Sequence, residues 1–270
     1  MIGICDSGIG GLTVAKEVMQ HLPGFSFVYI GDTARTPYGN KSADAICRYA
    51  LENVKFLVNH GAKIILIACN SMSAVALPQL RERFHIPIFE VIGPAVAEAI
   101  RISPFKNIGV IGTRATIGSG VYDRLIHGLN HDASVIGVAC PLFVPFVEEG
   151  LANHSLTKKI ARMYLDPLKQ KQVDTLVLGC THYPFLKNTI ADRMGHRVHI
   201  VDSAATAARH LQNYLDANPS VVEGLHKGNR HEFYLTDIAP HHNRIASAWL
   251  GQPVNFIPAQ LIEEHINYHK

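Results

Sequence analysis

The feature that most restricts how this chain can fold is a set of short apolar runs, each closed by glycine or a small polar residue, that is written twice. Runs at 2–5, 27–30, 64–68 and 88–92 end on Asp6-Ser7-Gly8, Gly31-Asp32-Thr33, Cys69-Asn70-Ser71 and Gly93-Pro94. Such runs, bounded by turn formers and separated by helical patterns, mark strands buried on both faces of a parallel sheet. Behind the first, Leu12, Ala15, Met19 and Leu22 form a helical stripe that starts directly after Gly8, Gly10 and Gly11.

Four more runs follow in the same order, at 108–111, 135–139, 175–178 and 198–201. Ile2-Gly3-Ile4 is echoed by Ile108-Gly109-Val110, Cys69 by Cys180, and Val91-Ile92-Gly93 by Val201-Asp202-Ser203, each roughly 110 residues later. The pattern predicts an α/β fold of two pseudo-symmetric three-layer lobes with mostly parallel sheets. Each lobe would place the tip of its third strand, with a cysteine on it, at the sheet edge where ligands bind, and the two edges would face across one cleft. The expected division is 1–93 plus 210–270 for the first lobe and 94–209 for the second. The tail fits neither copy: a strand-like 231–236, a helical 239–250 and a short apolar 254–257 are expected to return to the first lobe.

Composition removes several classes of function. With 270 residues, 47% of them hydrophobic and 17% charged, the chain can bury a large core. Its longest strongly apolar run, 64–68, is far shorter than the roughly 20 residues of a membrane-spanning helix, and no basic segment precedes an apolar stretch at the N-terminus. A soluble, cytoplasmic, unprocessed protein without a membrane partner is expected. The formal charge of +3 is spread among acids, so no nucleic acid partner is expected. Five widely spaced cysteines without a C-x-x-C pair argue against disulfides and structural zinc, and the 16 histidines contain no H-E-x-x-H pattern, so no metal is expected.

Alone, a cysteine at the end of a parallel strand is usually a small buried hydrophobe. A pair matched by an internal repeat is different. Moving a proton from one face of an α-carbon to the other needs two proton-transfer groups, one per face, with the carbon held between them. Cys69 and Cys180 on opposed lobes suit that task. A strand tip feeding a helix N-terminus would favour thiolate, and the turn Asp6-Ser7-Gly8-Ile9-Gly10-Gly11 offers another anion site. Asn70, Ser71, Thr181 and His182 supply donors for a carboxylate or for developing charge. Asp6 and Asp32 equally suit turn caps, and Glu148 and Glu149 a solvated helix end. The glycines also resemble a dinucleotide loop, but lack its third glycine at the usual spacing and its acid about 20 residues on. A cysteine hydrolase using Cys180 and His182 would leave Cys69 unexplained, and nothing resembling a secretion signal supports a two-lobed binding protein without chemistry.

Several motifs, in order, resemble those of the glutamate racemase family: 6–14 (Asp6-Ser7-Gly8 through Val14), Gly31-Asp32-Thr33-Ala34-Arg35 with Pro37-Tyr38-Gly39, Ala68-Cys69-Asn70-Ser71, Gly109-Val110-Ile111-Gly112-Thr113, Phe143-Val144-Pro145 with Glu148, and Gly179-Cys180-Thr181-His182-Tyr183-Pro184. The resemblance implies an amino-acid racemase without pyridoxal phosphate, metal or other cofactor, making D-glutamate for peptidoglycan and commonly homodimeric. It implies that Cys69 and Cys180 are the acid/base pair, assisted by Asp6 and His182 respectively, with Glu148 a further helper. Asp6, Ser7, Pro37, Tyr38, Gly39, Asn70, Ser71, Thr113, Thr116, Thr181 and His182 would contact substrate, with Ser71 and Met72 standing where relatives usually carry threonine and alanine. A first strand at Ile2, without the extension some relatives carry, leads to the expectation that no peptidoglycan-precursor activator is needed. The alternative within the class is a two-thiol racemase acting on aspartate or a hydantoin.

Overall fold

The apolar runs become strands because both of their faces are covered. The computed structural model describes residues 1–262, and the strands are β1 (Ile2–Asp6), β2 (Phe27–Gly31), β3 (Ile64–Ile67), β4 (Ile88–Glu90), β5 (Asn107–Gly112), β6 (Ser134–Ala139), β7 (Thr175–Gly179), β8 (His199–Asp202), β9 (Glu232–Leu235) and β10 (Phe256–Pro258). They form a six-stranded sheet, β10-β9-β2-β1-β3-β4, and a four-stranded sheet, β6-β5-β7-β8. Every strand pair is parallel. The repeat is therefore topological, since the order 2-1-3-4 of the first sheet recurs as 6-5-7-8 in the second.

Alternation along the strands assigns each face to a core. Ile2 and Ile4 of β1, Ile64 and Leu66 of β3, Ile108 and Val110 of β5 and Val177 of β7 share one continuous cluster with Leu12, Ala95 and Leu211. That cluster lies between the sheets and is built on the helices Leu12–His21, Ile92–Ile102 and Ser203–Ala217. The other face of the first sheet, through Cys5, Ile65 and Ile67, packs on Ala43–Asn59 and Asn70–Arg83. The other face of the second, through Ile111, Leu176 and Leu178, packs on Ser155–Gln170 and Lys187–Met194.

The tail adds β9 and β10 to the first sheet beyond β2, with Val28 opposite Glu232 and Gly31 opposite Leu235. Residues 263–270, which the sequence reading gave to the first lobe, lie outside the described residues. The expected lobe boundaries at 93/94 and 209/210 fall inside Ile92–Ile102 and Ser203–Ala217, the helices of the shared core. The run at 88–92 is also divided: its strand stops at Glu90, whose carboxylate accepts the N–H of Gly93 at 2.8 Å and that of Ile92. A carboxylate on those orphan donors starts the helix two residues later. Among the described residues no helix is long and apolar enough to cross a membrane.

Candidate active site

The carboxyl ends of β1 and β3 in one sheet and of β5 and β7 in the other meet at a small, narrow cleft. Cys69 follows Ala68, whose N–H still bonds Cys5 of β1, and it opens the helix Asn70–Arg83. Cys180 directly follows Gly179, the last residue of β7. Both cysteines line the cleft, together with Ser7, Pro37, Tyr38, Gly39, Asn70, Ser71, Thr113, Thr181 and His182. Asp6, Thr116 and Glu148 sit one layer behind. Thr116 is buried on Thr113 at 3.0 Å and Ser71 at 3.4 Å, and Ser71 in turn meets Thr113 across the cleft at 2.9 Å.

The two thiols have different surroundings. Cys69 donates to Ser7 Oγ at 3.6 Å. Burial first, and the nearby Asp6 charge second, push its pKa up to about 12. The N–H of Met72 and the Ser7 hydroxyl act in the opposite direction and lose. A helix N-terminus favours thiolate, but at Cys69 desolvation outweighs it, and this cysteine rests as thiol.

Cys180 does not open an α-helix directly, as the helix Lys187–Met194 begins only seven residues on. A single 3-10 turn, Tyr183–Leu186, intervenes, and positive charge comes from a side chain instead. Cys180 Sγ lies 3.9 Å from His182 Nδ1, and His182 Nε2 lies 2.9 Å from Glu148 Oε1. Burial works against a charged ring, but contacts with Cys180 and Glu148 more than offset it and raise the His182 pKa to about 10. Burial likewise opposes the Glu148 carboxylate. Its hydrogen bond and charge interaction with His182, helped by His242 and His241, nevertheless hold its pKa below the usual value. Asp6 is pushed upward by burial, against the pull of His182 and of the Gly11, Gly8 and Ser7 N–H groups. One of its oxygens accepts from Gly8 N–H at 3.0 Å, while Oδ1 is buried without a partner.

The glycine loop is explained by close approach. A Cβ on Gly10 would stand 2.3 Å from Thr181 Oγ1 and 2.4 Å from His182 Cε1, and one on Gly39 would stand 2.5 Å from Thr113 Cβ. At both points backbone from the first sheet's side presses on the second sheet's cleft residues, which only glycine allows. Gly10→Ala is expected to displace the His182 ring and lower kcat/KM at least about tenfold, since misplacing an assisting group by around 1 Å costs orders of magnitude. Assay of the purified variant beside its far-ultraviolet circular dichroism checks this, and full activity would refute the packing argument.

Asp32 is more than a turn cap. It accepts from Arg35 Nε at 2.6 Å, from Thr236 Oγ1 at 2.9 Å and from the Tyr38 hydroxyl, which also receives Asn53 Nδ2 at 3.1 Å. The Tyr38 hydroxyl is therefore turned from substrate into this buried network, which anchors the segment 36–39 with its cis Thr36–Pro37 bond. Sequence reasoning missed Thr36 and Val144 in the cleft lining, and Trp249 behind it. Trp249 meets His182 edge-on at 5.7 Å and stacks on Phe185 at 4.2 Å; its only sequence signal is being the sole tryptophan.

Among the described residues, no three His, Cys, Asp or Glu side chains are grouped to hold a metal ion. A larger concavity of about 1660 Å³, lined by Phe105, Asn107, Asp174 and Arg197 among others, lies at the amino-terminal ends of β5 and β7. It contains neither thiol, and ligands of open parallel sheets bind at the other edge.

Comparison with known proteins agrees with this geometry. The Asp/Glu/Hydantoin racemase family matches residues 13–211. A glutamate racemase from Geobacter metallireducens is 42% identical over 250 residues, 93% of this chain and 92% of its own. The chain belongs to the glutamate racemases of this family. Solved glutamate racemases superpose closely: the Bacillus anthracis protein with TM-score 0.91 and 36% identity over 97% of both chains, and the Francisella tularensis protein, in complex with D-glutamate, with TM-score 0.88 and 35% identity over 96% of this chain and 97% of that one. As a member of the glutamate racemase family, the chain is an amino-acid racemase, an isomerase. It needs a proton-transfer group on each face of a substrate's α-carbon, and the cleft offers one thiol on each wall.

Proposed function

We propose that this protein interconverts L- and D-glutamate by transfer of the α-proton between two cysteines, and that the product supplies D-glutamate for peptidoglycan. The observation that carries the reading is that Cys69 and Cys180, from equivalent strand ends of two sheets, line the same cleft. In one direction a Cys180 thiolate, beside the His182 imidazolium, removes the proton while the Cys69 thiol delivers one to the opposite face. In the other direction the roles exchange, and by family resemblance Cys180 acts on L-glutamate and Cys69 on D-glutamate. Asp6, with its unpartnered buried oxygen, assists Cys69, and His182, held by Glu148, assists Cys180.

The residues named as lining the cleft include no lysine or arginine. Substrate carboxylates would be received by neutral donors, from Ser7, Asn70, Ser71, Thr113 and Thr181 and from the open N-terminus of Asn70–Arg83. Neutral donors suit a reaction that builds negative charge at carbon without pinning the substrate by a permanent ion pair. The reading also places the enzyme in the cytoplasm, where five unpaired cysteines remain reduced, and as a homodimer.

Incubation of one glutamate enantiomer in deuterium oxide tests the proposal. A two-thiol enzyme forms the opposite enantiomer carrying deuterium, while substrate recovered early retains protium, because different groups remove and return the proton. Exchange with aspartate and none with glutamate would keep the reaction class and overturn the substrate.

A further inference from the structure

Asn70 follows Cys69 on the wall of the cleft, yet its amide is held by residues from the other sheet's side. Its Oδ1 accepts the Tyr122 hydroxyl at 2.8 Å, and its Nδ2 donates to Ser203 Oγ at 3.4 Å. Ser203 Oγ gives its own proton to Leu178 O at 3.0 Å, so it can only accept from Asn70. Tyr122 is 4% exposed, Asn70 2% and Ser203 2%, so these groups are withdrawn from bulk solvent. Burial raises the phenol pKa well above its ordinary value, which keeps the hydroxyl a donor. Both neighbours therefore impose the same orientation on an amide that could otherwise turn over. The carbonyl points into protein, and one N–H remains for the cleft.

Tyr122 comes from the helix Val121–Leu129, and its ring lies close to Gly179. A Cβ there would stand 3.3 Å from Tyr122 Cε2 and 2.7 Å from Ile111 O. One buried ring thus touches the residue before Cys180 and the residue after Cys69.

We propose that Tyr122 is a positioning residue for substrate recognition: by fixing the Asn70 amide it presents an N–H donor to a substrate carboxylate and ties the two thiol-bearing walls into one register. The inference rests on glutamate as the ligand of the cleft. Without the phenol hydroxyl, only the long 3.4 Å contact to Ser203 holds the amide, which can then turn its carbonyl to the cleft and repel a carboxylate, and binding weakens while the thiols remain in place.

Tyr122→Phe keeps the ring and removes only the hydroxyl. The expected result is a KM raised about fivefold to tenfold for both enantiomers, with kcat within about twofold of the parent and the melting temperature little changed. The same comparison in an Asn70→Ala background is made with dissociation constants for equilibrated DL-glutamate, which require no turnover. There Tyr122→Phe should have less than a twofold effect, because the group it acts through is gone. An unchanged KM in the single variant overturns the proposal, as does an equal loss of affinity in both backgrounds. A parent enzyme that exchanges no glutamate α-proton would instead fail the functional reading and be recognised as such before any variant is made.

Discussion

Cys69→Ala and Cys180→Ala are each expected to abolish racemisation in both directions, lowering kcat by at least about a thousandfold, within the range for loss of a general acid or base. Each thiol is the acid in one direction and the base in the other, so neither direction survives the loss of either. The equilibrium constant between enantiomers in water is one, so the ratio of the two kcat/KM values is fixed at one for every variant. A substitution that harmed only one direction's kcat/KM would violate that identity, and asymmetry can appear only in kcat and KM separately. Serine in either place should leave a trace of activity, because a hydroxyl is a much weaker acid than a thiol. Both sites are small and buried, so alanine leaves little empty space and the fold should persist. Kinetics by circular dichroism of glutamate from both enantiomers, with an unfolding curve for each variant, decides the matter. Full activity in either alanine variant would end the two-thiol mechanism.

Much of this arrangement was legible in the sequence because the repeat encodes both burial and position. A strand covered on both faces must be apolar throughout, so β1, β3, β5 and β7 declare themselves, and the residues that close them must lie at one edge. Cys69 and Cys180 were found in that way. What the sequence could not convey is which distant groups each residue meets. Asp32 looks like a turn cap because Thr236 reaches it only after the tail has joined β2. Gly10 looks like part of a nucleotide loop because His182, which forbids it a side chain, is far along the chain. Tyr122 and Trp249 carry no motif, since their roles lie in contacts with Asn70 and His182. Which of the two cysteines rests as thiol was also not legible, because a helix N-terminus is visible in sequence whereas the desolvation that overrides it at Cys69 is not.

The difference between the two thiols leads to the second large effect. His182→Asn is expected to lower kcat/KM by about two to three orders of magnitude, equally in both directions, because it removes the cation beside Cys180. Glu148→Gln separates the charge of that ring from its mere presence. With the carboxylate gone, the His182 pKa should fall from about 10 toward its ordinary 6.5, and the alkaline limb of the kcat/KM profile should move to lower pH with it. Stability follows from the same shifts. The raised His182 pKa gives a contribution fully present below about pH 6.5 that fades as pH rises toward about 10, and the lowered Glu148 pKa gives one present above about 4.5 that is lost as pH falls below it. The parent should therefore exceed Glu148→Gln in unfolding free energy most between about pH 4.5 and 6.5, with the gap narrowing on both sides. A ring whose own pKa is about 10 stays protonated at neutral pH, where the proton transfer needs the imidazolium. Identical alkaline limbs in parent and variant would show that Glu148 does not set the charge of His182, and that Cys180 draws its assistance from elsewhere in the cleft.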